Sequence, residues 1–248
     1  MAIIGEEWIT GSPEILSPNM PIPIPDFEEE FIRAIRRNLT DVVGQLDSKN
    51  EGLLKKIDTF STRFKFPESA IRRKIRNDEM FRAFFAKDPG KQKIHENIAA
   101  DFIRKIPTVK DFKQLSHGDL QLVRGGIFPK KEALRMGTTA QAKTLDFSWK
   151  TGKSNIFASH KYTKSSGGAQ DNQYNDLKDF ISEANDSNLP DTIFLAIADG
   201  SYYQLFDTEA RVKKIQRLKD LANRRNVFAV TSAELEDFLK DLIERINL

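Results

Sequence analysis

The chain has no cysteine among its 248 residues. That excludes disulfides, thiolate zinc sites, iron–sulfur clusters and thiol nucleophiles, and it suits a reducing compartment, so the expected location is cytoplasmic. Histidine is scarce. His95, His117 and His160 are the three present, and any histidine-dependent triad or metal centre has to run through one of them. Long apolar runs are missing as well: none approaches the roughly 20 residues of a membrane helix. The first residues carry Glu6 and Glu7 where a signal peptide would be apolar. A soluble protein with no membrane partner is expected. Net charge is small, with 39 Lys+Arg against 36 Asp+Glu. This balance does not demand a nucleic-acid partner, but it allows a basic face opposite an acidic one. With 39% hydrophobic and 30% charged residues, the chain is of ordinary globular composition, long enough for one large domain or two small ones.

Three regions differ in character. Five of the ten prolines, Pro13, Pro18, Pro21, Pro23 and Pro25, fall in residues 1–25. Proline fixes φ and lacks the N–H, so this stretch reads as an extended arm on the body or on a partner subunit, or as a free tail. Residues 26–110 read as helical. Asp26 is a good N-cap, Phe27, Phe31, Ile35 and Leu39 recur at helical spacing, and Glu28, Glu29 and Glu30 suit the first turn. Further helical patterns cover Leu53–Phe60, Glu68–Phe85 and Lys91–Ile106, broken by Pro67, Asp88-Pro89-Gly90 and Pro107. The densest basic run, Ile71–Arg76, is a solvated face or a phosphate contact.

Residues 111–248 read as α/β. Thr144–Trp149 and Asn155–Tyr162 are expected strands joined by a turn at Thr151-Gly152-Lys153. Gly167-Gly168 precedes a helix from about Gln170 to Asn185, and the apolar run Thr192–Ala198 is expected as a strand buried on both faces. A helix near Thr208–Arg225, a strand at Val227–Val230 and a helix at Ser232–Ile246 complete the pattern.

The hairpin brings Asp146 and Lys161 to neighbouring strands. A carboxylate there would hold a hard cation such as Mg2+ through oxygen, and the lysine would position a water and steady negative charge on a phosphate. Each residue also has a plain structural alternative. Asp146 is costly to bury unless paired or metal-bound, and Lys161 would suit an edge strand. Asp171 is favoured near a helix start by the dipole alone, and His160 should face away from Lys161.

The order of Asp, hairpin, lysine, Gly-rich turn, polar helix and buried strand resembles the core of the PD-(D/E)XK nuclease superfamily. The run His160–Gln173, with Lys161 followed by Gly167-Gly168-Ala169-Gln170-Asp171-Asn172-Gln173, looks particularly like that superfamily's type II restriction endonucleases. Gln170 and Tyr174 also fit a Gln-x-x-x-Tyr pattern of some recombination-type relatives. The resemblance covers roughly residues 88–230 and implies a mixed sheet flanked by helices. It implies metal binding by Asp146, water positioning by Lys161 and an additional acid at Glu96 on the first core helix. Where the family carries Asp or Glu two residues before the lysine, this chain has Ser159. Three explanations stay open: an acid moved to the following helix (Asp171 or Asp176), a serine acting through water with Glu96 supplying charge, or a weakened site.

The function this implies is a Mg2+-dependent type II restriction endonuclease that cuts double-stranded DNA at a short specific sequence, as a homodimer. Arg124, Lys130, Lys131 and Lys164 would contact phosphates, together with a later group from Arg211 to Arg225. Gln170, Asn172 and Gln173 are of the type that reads base edges or organises the site. The alternatives are a structure-selective repair or recombination nuclease and a DNA-binding protein with a decayed site.

Overall fold

Asp26 begins the first helix as its sequence predicts: its carboxylate accepts the backbone N–H groups of Glu28 and Glu29, each at 3.0 Å. The computed structural model describes residues 22–87, 93–116, 119–135, 142–164 and 168–246. Within these, α1 (Phe27–Asp47), α2 (Glu51–Phe64), α3 (Glu68–Asn77) and the short α4 (Glu79–Arg82) form the N-terminal helical region. The helix expected over 68–85 is two. Asp78 leaves helical geometry at φ −131° and ψ 105°, ends α3, and caps α4 by accepting Phe81 N–H at 3.0 Å. Val42, Leu46, Leu53, Ile57, Ile71, Ile75 and Phe85 make a separate small core for this region.

The rest is a mixed sheet between helices. Helix α5 (Ile94–Lys105) leads into β1 (Lys110–Gln114); the hairpin strands are β5 (Phe147–Thr151) and β6 (Ser154–Tyr162). Helix α7 (Gly168–Asn185), β7 (Thr192–Asp199), α8 (Lys214–Leu221), β10 (Val227–Val230) and α9 (Ser232–Ile246) follow. The sheet order is β1-β5-β6-β7-β10; β1, β5 and β6 are antiparallel neighbours, whereas β6, β7 and β10 run parallel. All eight residues of β7 are buried, as expected for a strand covered on both faces. Phe27, α5 and α9 cover one face through Phe102, Ile103, Leu235 and Leu239. The other face packs on α7 and α8 through Tyr174, Leu177, Phe180 and Leu218.

Two expectations are corrected. Gly125-Gly126 and Pro129, whose residue types read as punctuation of a loop region, instead form the turn and the far end of a strand pair, and residues 111–144 are not a loop. They hold most of β1 and a second sheet of β2 (Leu120–Val123), β3 (Gly126–Pro129) and β4 (Lys143–Thr144), with α6 (Lys130–Arg135) after β3. Strand β1 reads Lys-Asp-Phe-Lys-Gln, so one aromatic, Phe112, is its only apolar signal, as befits a charged edge strand. The helix expected from Thr208 starts only at Lys214, after the short β8 (Phe206–Asp207) and β9 (Val212–Lys213). Asp207 accepts the N–H groups of Glu209 and Ala210 at 3.0 Å, and Arg211 sits at φ 57°, which breaks a right-handed helix. Of the proline-rich arm, residues 22–25 are described and lie on the body. Ile22 packs against the main core and its N–H reaches Glu236 at 3.4 Å. Pro13, Pro18, Pro21, His117, the Asp88-Pro89-Gly90 turn and Gly167 lie outside the described residues.

Gly200 locks the exit of β7 against the exit of β6. It adopts φ 103°, and a Cβ there would sit 2.1 Å from the carbonyl oxygen of Thr163. Both strain and clash oppose a side chain, so Gly200→Ala is expected to destabilise the fold by more than about 2 kcal/mol. Thermal unfolding reads this, and an unchanged Tm would refute the tight approach.

Candidate active site

Strands β5 and β6 pair from Thr151↔Ser154 to Phe147↔Ala158 and then part. Beyond the last pair, Leu145 turns toward the small sheet, its N–H 3.4 Å from the carbonyl of Leu120. The parting deprives β6 of a ladder partner, and a buried N–H must find another acceptor. The carboxylate of Asp146 supplies it: Oδ2 accepts His160 N–H at 2.9 Å and Ser159 Oγ–H at 3.2 Å. The backbone of Asp146 is tied on both sides, its N–H to Ala158 and its C=O to Leu115. Asp146 therefore precedes β5, at the fork between two strands, where the sequence placed it within a strand. It is buried, and among the described residues Oδ1 accepts no hydrogen bond.

Alternation along β6 sorts its side chains onto two faces. Ser159 and Lys161 share the α7 face with Phe157, while Ala158, His160 and Tyr162 share the α1/α5 face. Lys161 is half-buried and forms no ion pair among the described residues. Alternation thus puts Lys161 on the same strand face as the Ser159 hydroxyl that the Asp146 carboxylate accepts. This end of β6, beyond the parting of the strands, is the mouth of the site. Just beyond, Thr163 Oγ1 donates to Gln173 Oε1 at 2.8 Å, which ties α7 to the end of β6.

The other expected acids are placed differently. Glu96 on α5 has only 15% of its side chain exposed; Lys93 Nζ lies 3.0 Å and Gln114 Nε2 3.4 Å from Oε1. Gln114 pairs with Phe147, the residue after Asp146, so Glu96 stands at the neighbouring strand end. Asp171 accepts the hydroxyl of Tyr202. Asp176 is exposed with Lys143 Nζ at 3.6 Å. Neither bonds to Asp146 or Ser159. Among the described residues, no three His, Asp or Glu side chains gather as a metal-holding group. Asp146 alone still suits Mg2+, which commonly takes one or two carboxylates and fills its remaining positions with water and substrate phosphate oxygens.

Tyr174, the expected partner of Gln170 in the helical pattern, points away from the mouth: its hydroxyl donates to Asp207 at 2.7 Å. That bond and burial push its pKa up, with burial the larger cause. The side chain of Gln170 lies outside the described residues. Arg124 is exposed in the turn between β2 and β3 at φ 48°, Lys131 and Asn172 are exposed, Lys130 is partly buried, and Lys164 is ion-paired with Glu28 at 2.5 Å.

The opposite face of β6 holds a polar cluster that the sequence did not signal. His160 Nε2 lies 3.1 Å from Asp199 Oδ2, and Asp199 also accepts the N–H and hydroxyl of Ser232 at 2.8 and 2.6 Å. The clue available in the sequence was an acid ending an apolar strand. Beside it, His95 is sandwiched between Phe31 and Tyr162 at 4.9 and 4.2 Å, and its buried Nε2 has no partner among the described residues. Burial first, and then the charge of His160, hold the His95 pKa below 6.5, with Glu28 opposing. The folded state then binds fewer protons than the unfolded chain as pH falls below 6.5, so this residue's contribution is complete above that pH and is lost on acidification. His95→Phe is expected to reduce the drop in Tm between neutral and mildly acidic buffer; an undiminished drop would sink this assignment.

No family model matches the chain, and no curated protein matches it. Among solved structures, it is similar to protein VC1899 from Vibrio cholerae at 12% identity and a TM-score of 0.32, over 90% of this chain. The chain spans 57% of the length of that protein. No helix among the described residues is long and apolar enough to cross a membrane.

Proposed function

We propose that this chain is a Mg2+-dependent endonuclease of the PD-(D/E)XK type, hydrolysing double-stranded DNA at a short sequence in the manner of type II restriction endonucleases. The observation that carries this reading is the fork between β5 and β6, with Asp146 pinned across Ser159 and Lys161 on the same face. Helix α5, the hairpin, α7 and β7 also follow one another in the order that the sequence resemblance implies.

Asp146 would hold Mg2+ through Oδ1, while Ser159 and the His160 N–H fix the carboxylate through Oδ2. Bound there, the cation supplies a polarised phosphate and a more acidic water. Lys161 would orient the attacking water and neutralise charge growing on the phosphate oxygens. In such a hydrolysis the water gives up a proton to solvent as its oxygen bonds to phosphorus, the P–O bond to the departing strand breaks, and the departing oxygen takes a proton back from solvent. Glu96 lies one strand end away, paired with Lys93. A palindromic site would call for a homodimer, one copy per strand.

The test is long phage DNA incubated with the protein in Mg2+ or EDTA, beside Lys161→Ala. Discrete, metal-dependent fragments that vanish in the variant are expected. A preference for flaps or junctions would favour a structure-selective nuclease instead. Ser159 favours one other reading, a DNA-binding protein without cleavage: it stands where the family carries the second acid, and among the described residues Asp146 is the only carboxylate at the fork. DNA retention with no cleavage in Mg2+ or Mn2+ would establish it, and loss of both would overturn the nuclease reading.

A further inference from the structure

Far along the chain from the fork, α2 turns one face outward. Gly52, Lys55, Lys56, Thr59, Phe60, Arg63 and Phe64 recur at three- and four-residue spacing, which puts them on a single stripe. With Phe84 and Phe85, from the turn after α4, they line an open groove of about 410 Å3.

The groove combines two features. It contains three cations and no carboxylate. Arg72, Lys74 and Arg76 of the neighbouring helix are each paired with an acid, but among the described residues Lys55, Lys56 and Arg63 form no ion pair. Lys56 donates one hydrogen bond to the carbonyl of Phe85 at 2.9 Å, which holds its ammonium at the groove and leaves two N–H donors. Residues 51–87 carry ten Lys or Arg against five Asp or Glu, so this small region exceeds the net charge of +3 of the whole chain.

The second feature is aromatic. Phe60 packs on Phe64, Phe85, Phe81 and Phe84 with ring centroids 4.6, 5.3, 5.7 and 6.1 Å away. Phe85 is buried and anchors the cluster, whereas Phe64 and Phe84 are 49% and 69% exposed. The Arg63 guanidinium lies 5.4 Å over the Phe64 ring. Solvent-facing phenyl rings on an anchored cluster, bordered by cations, form a stacking platform beside an anion track.

We infer that this groove binds single-stranded nucleic acid, with bases stacked on Phe64 and Phe84 and phosphates along Lys55, Lys56 and Arg63. Unpaired bases offer free π-faces to such rings, and the cations release counterions from the backbone. A duplex hides its base faces and would use only the cations. An apolar protein partner would use only the rings. The inference is independent of the nuclease reading, since it concerns binding on other elements.

Fluorescence anisotropy of a labelled oligothymidylate against a duplex of equal length tests it on the full chain. The single strand is expected to bind more tightly and to weaken as salt rises. Phe84→Ala should cost at least about 5-fold in affinity, the lower end of one lost stacking contact, and Phe84→Trp should retain binding. Lys55→Glu should weaken binding and flatten the salt dependence. Both sites are exposed, so melting temperatures check that folding is intact; if Phe84→Ala melts lower, Lys55→Glu decides. Binding is measured in EDTA, where metal-dependent cleavage cannot proceed, which separates this outcome from that of the cleavage assay. Equal affinity for the duplex, or affinities within twofold in both variants, would overturn the inference. Displacement of the oligonucleotide by an acidic peptide whose own affinity is insensitive to Phe84→Ala would overturn it in favour of an acidic protein partner.

Discussion

Asp146→Asn is expected to abolish metal-dependent DNA cleavage, lowering the rate by at least about 1000-fold, while leaving the fold intact. The substitution keeps size and shape, and the amide oxygen can still accept the Ser159 hydroxyl and the His160 N–H now bonded at 3.2 and 2.9 Å. What it removes is the negative charge of the carboxylate, among the described residues the one at the fork able to neutralise a divalent cation. The loss should not be recovered by raising Mg2+, because Glu96 already sits with Lys93 and Gln114. Single-turnover cleavage of a mapped fragment, with a melting curve beside it, makes the measurement. Full activity in a folded Asp146→Asn protein would remove Asp146 from the chemistry and leave the fork as architecture.

Asp199→Ala should produce a large loss of stability for a single polar side chain outside that mouth. Asp199 ends β7 with its carboxylate buried, and it serves three donors: His160 Nε2, Ser232 N–H and Ser232 Oγ–H. The Ser232 N–H begins α9, so the carboxylate joins β6, β7 and the last helix at one point. Truncation strands these donors away from water and leaves a cavity beside Phe27 and His160. A loss of about 3 kcal/mol is expected, or roughly 6–12 °C in Tm for a chain of this size. Asp199→Asn, which retains an acceptor, should lose less. A Tm within about 2 °C of the parent in Asp199→Ala would show that the cluster is relieved by water and carries little stability.

The two predictions separate the faces of one strand. Residues 159 and 161 of β6 face the mouth, whereas 160 and 162 face α1 and α5, where Tyr162 donates to Glu28 at 2.6 Å. The Glu28 carboxyl is held below its ordinary range by Lys164 and then by Tyr162. Position along the strand therefore decides role. A one-residue shift in register would exchange Lys161 for His160 at the mouth.

Much of this was legible in the chain. The Asp26 cap, the apolar period of α1, the hairpin around Gly152 and the unbroken apolar run of β7 each carry a local signal, because spacing and turn chemistry act over a few residues. Alternation alone placed His160 opposite Lys161. The small sheet before the hairpin and strand β1 were not legible. Strand β1 is polar and exposed apart from Phe112, and the strands of the small sheet are two to four residues long, too short for a period to show. What holds them is pairing with β5 and packing on α7, contacts distant in sequence. Asp207 and Arg211 likewise broke an expected helix through a local turn that periodicity does not register.

Asp146 and Lys161 were identified by residue type and order, and the sequence by itself determined which side chains could share a strand face. Only the tertiary structure decided that β5 and β6 part at Asp146, that the carboxylate replaces the missing ladder partner of His160, and that Asp171 and Asp176 turn to Tyr202 and Lys143 instead. The physical reason is that a side chain's direction along a strand follows from local alternation. Its partners depend on which buried donors the rest of the chain leaves unsatisfied.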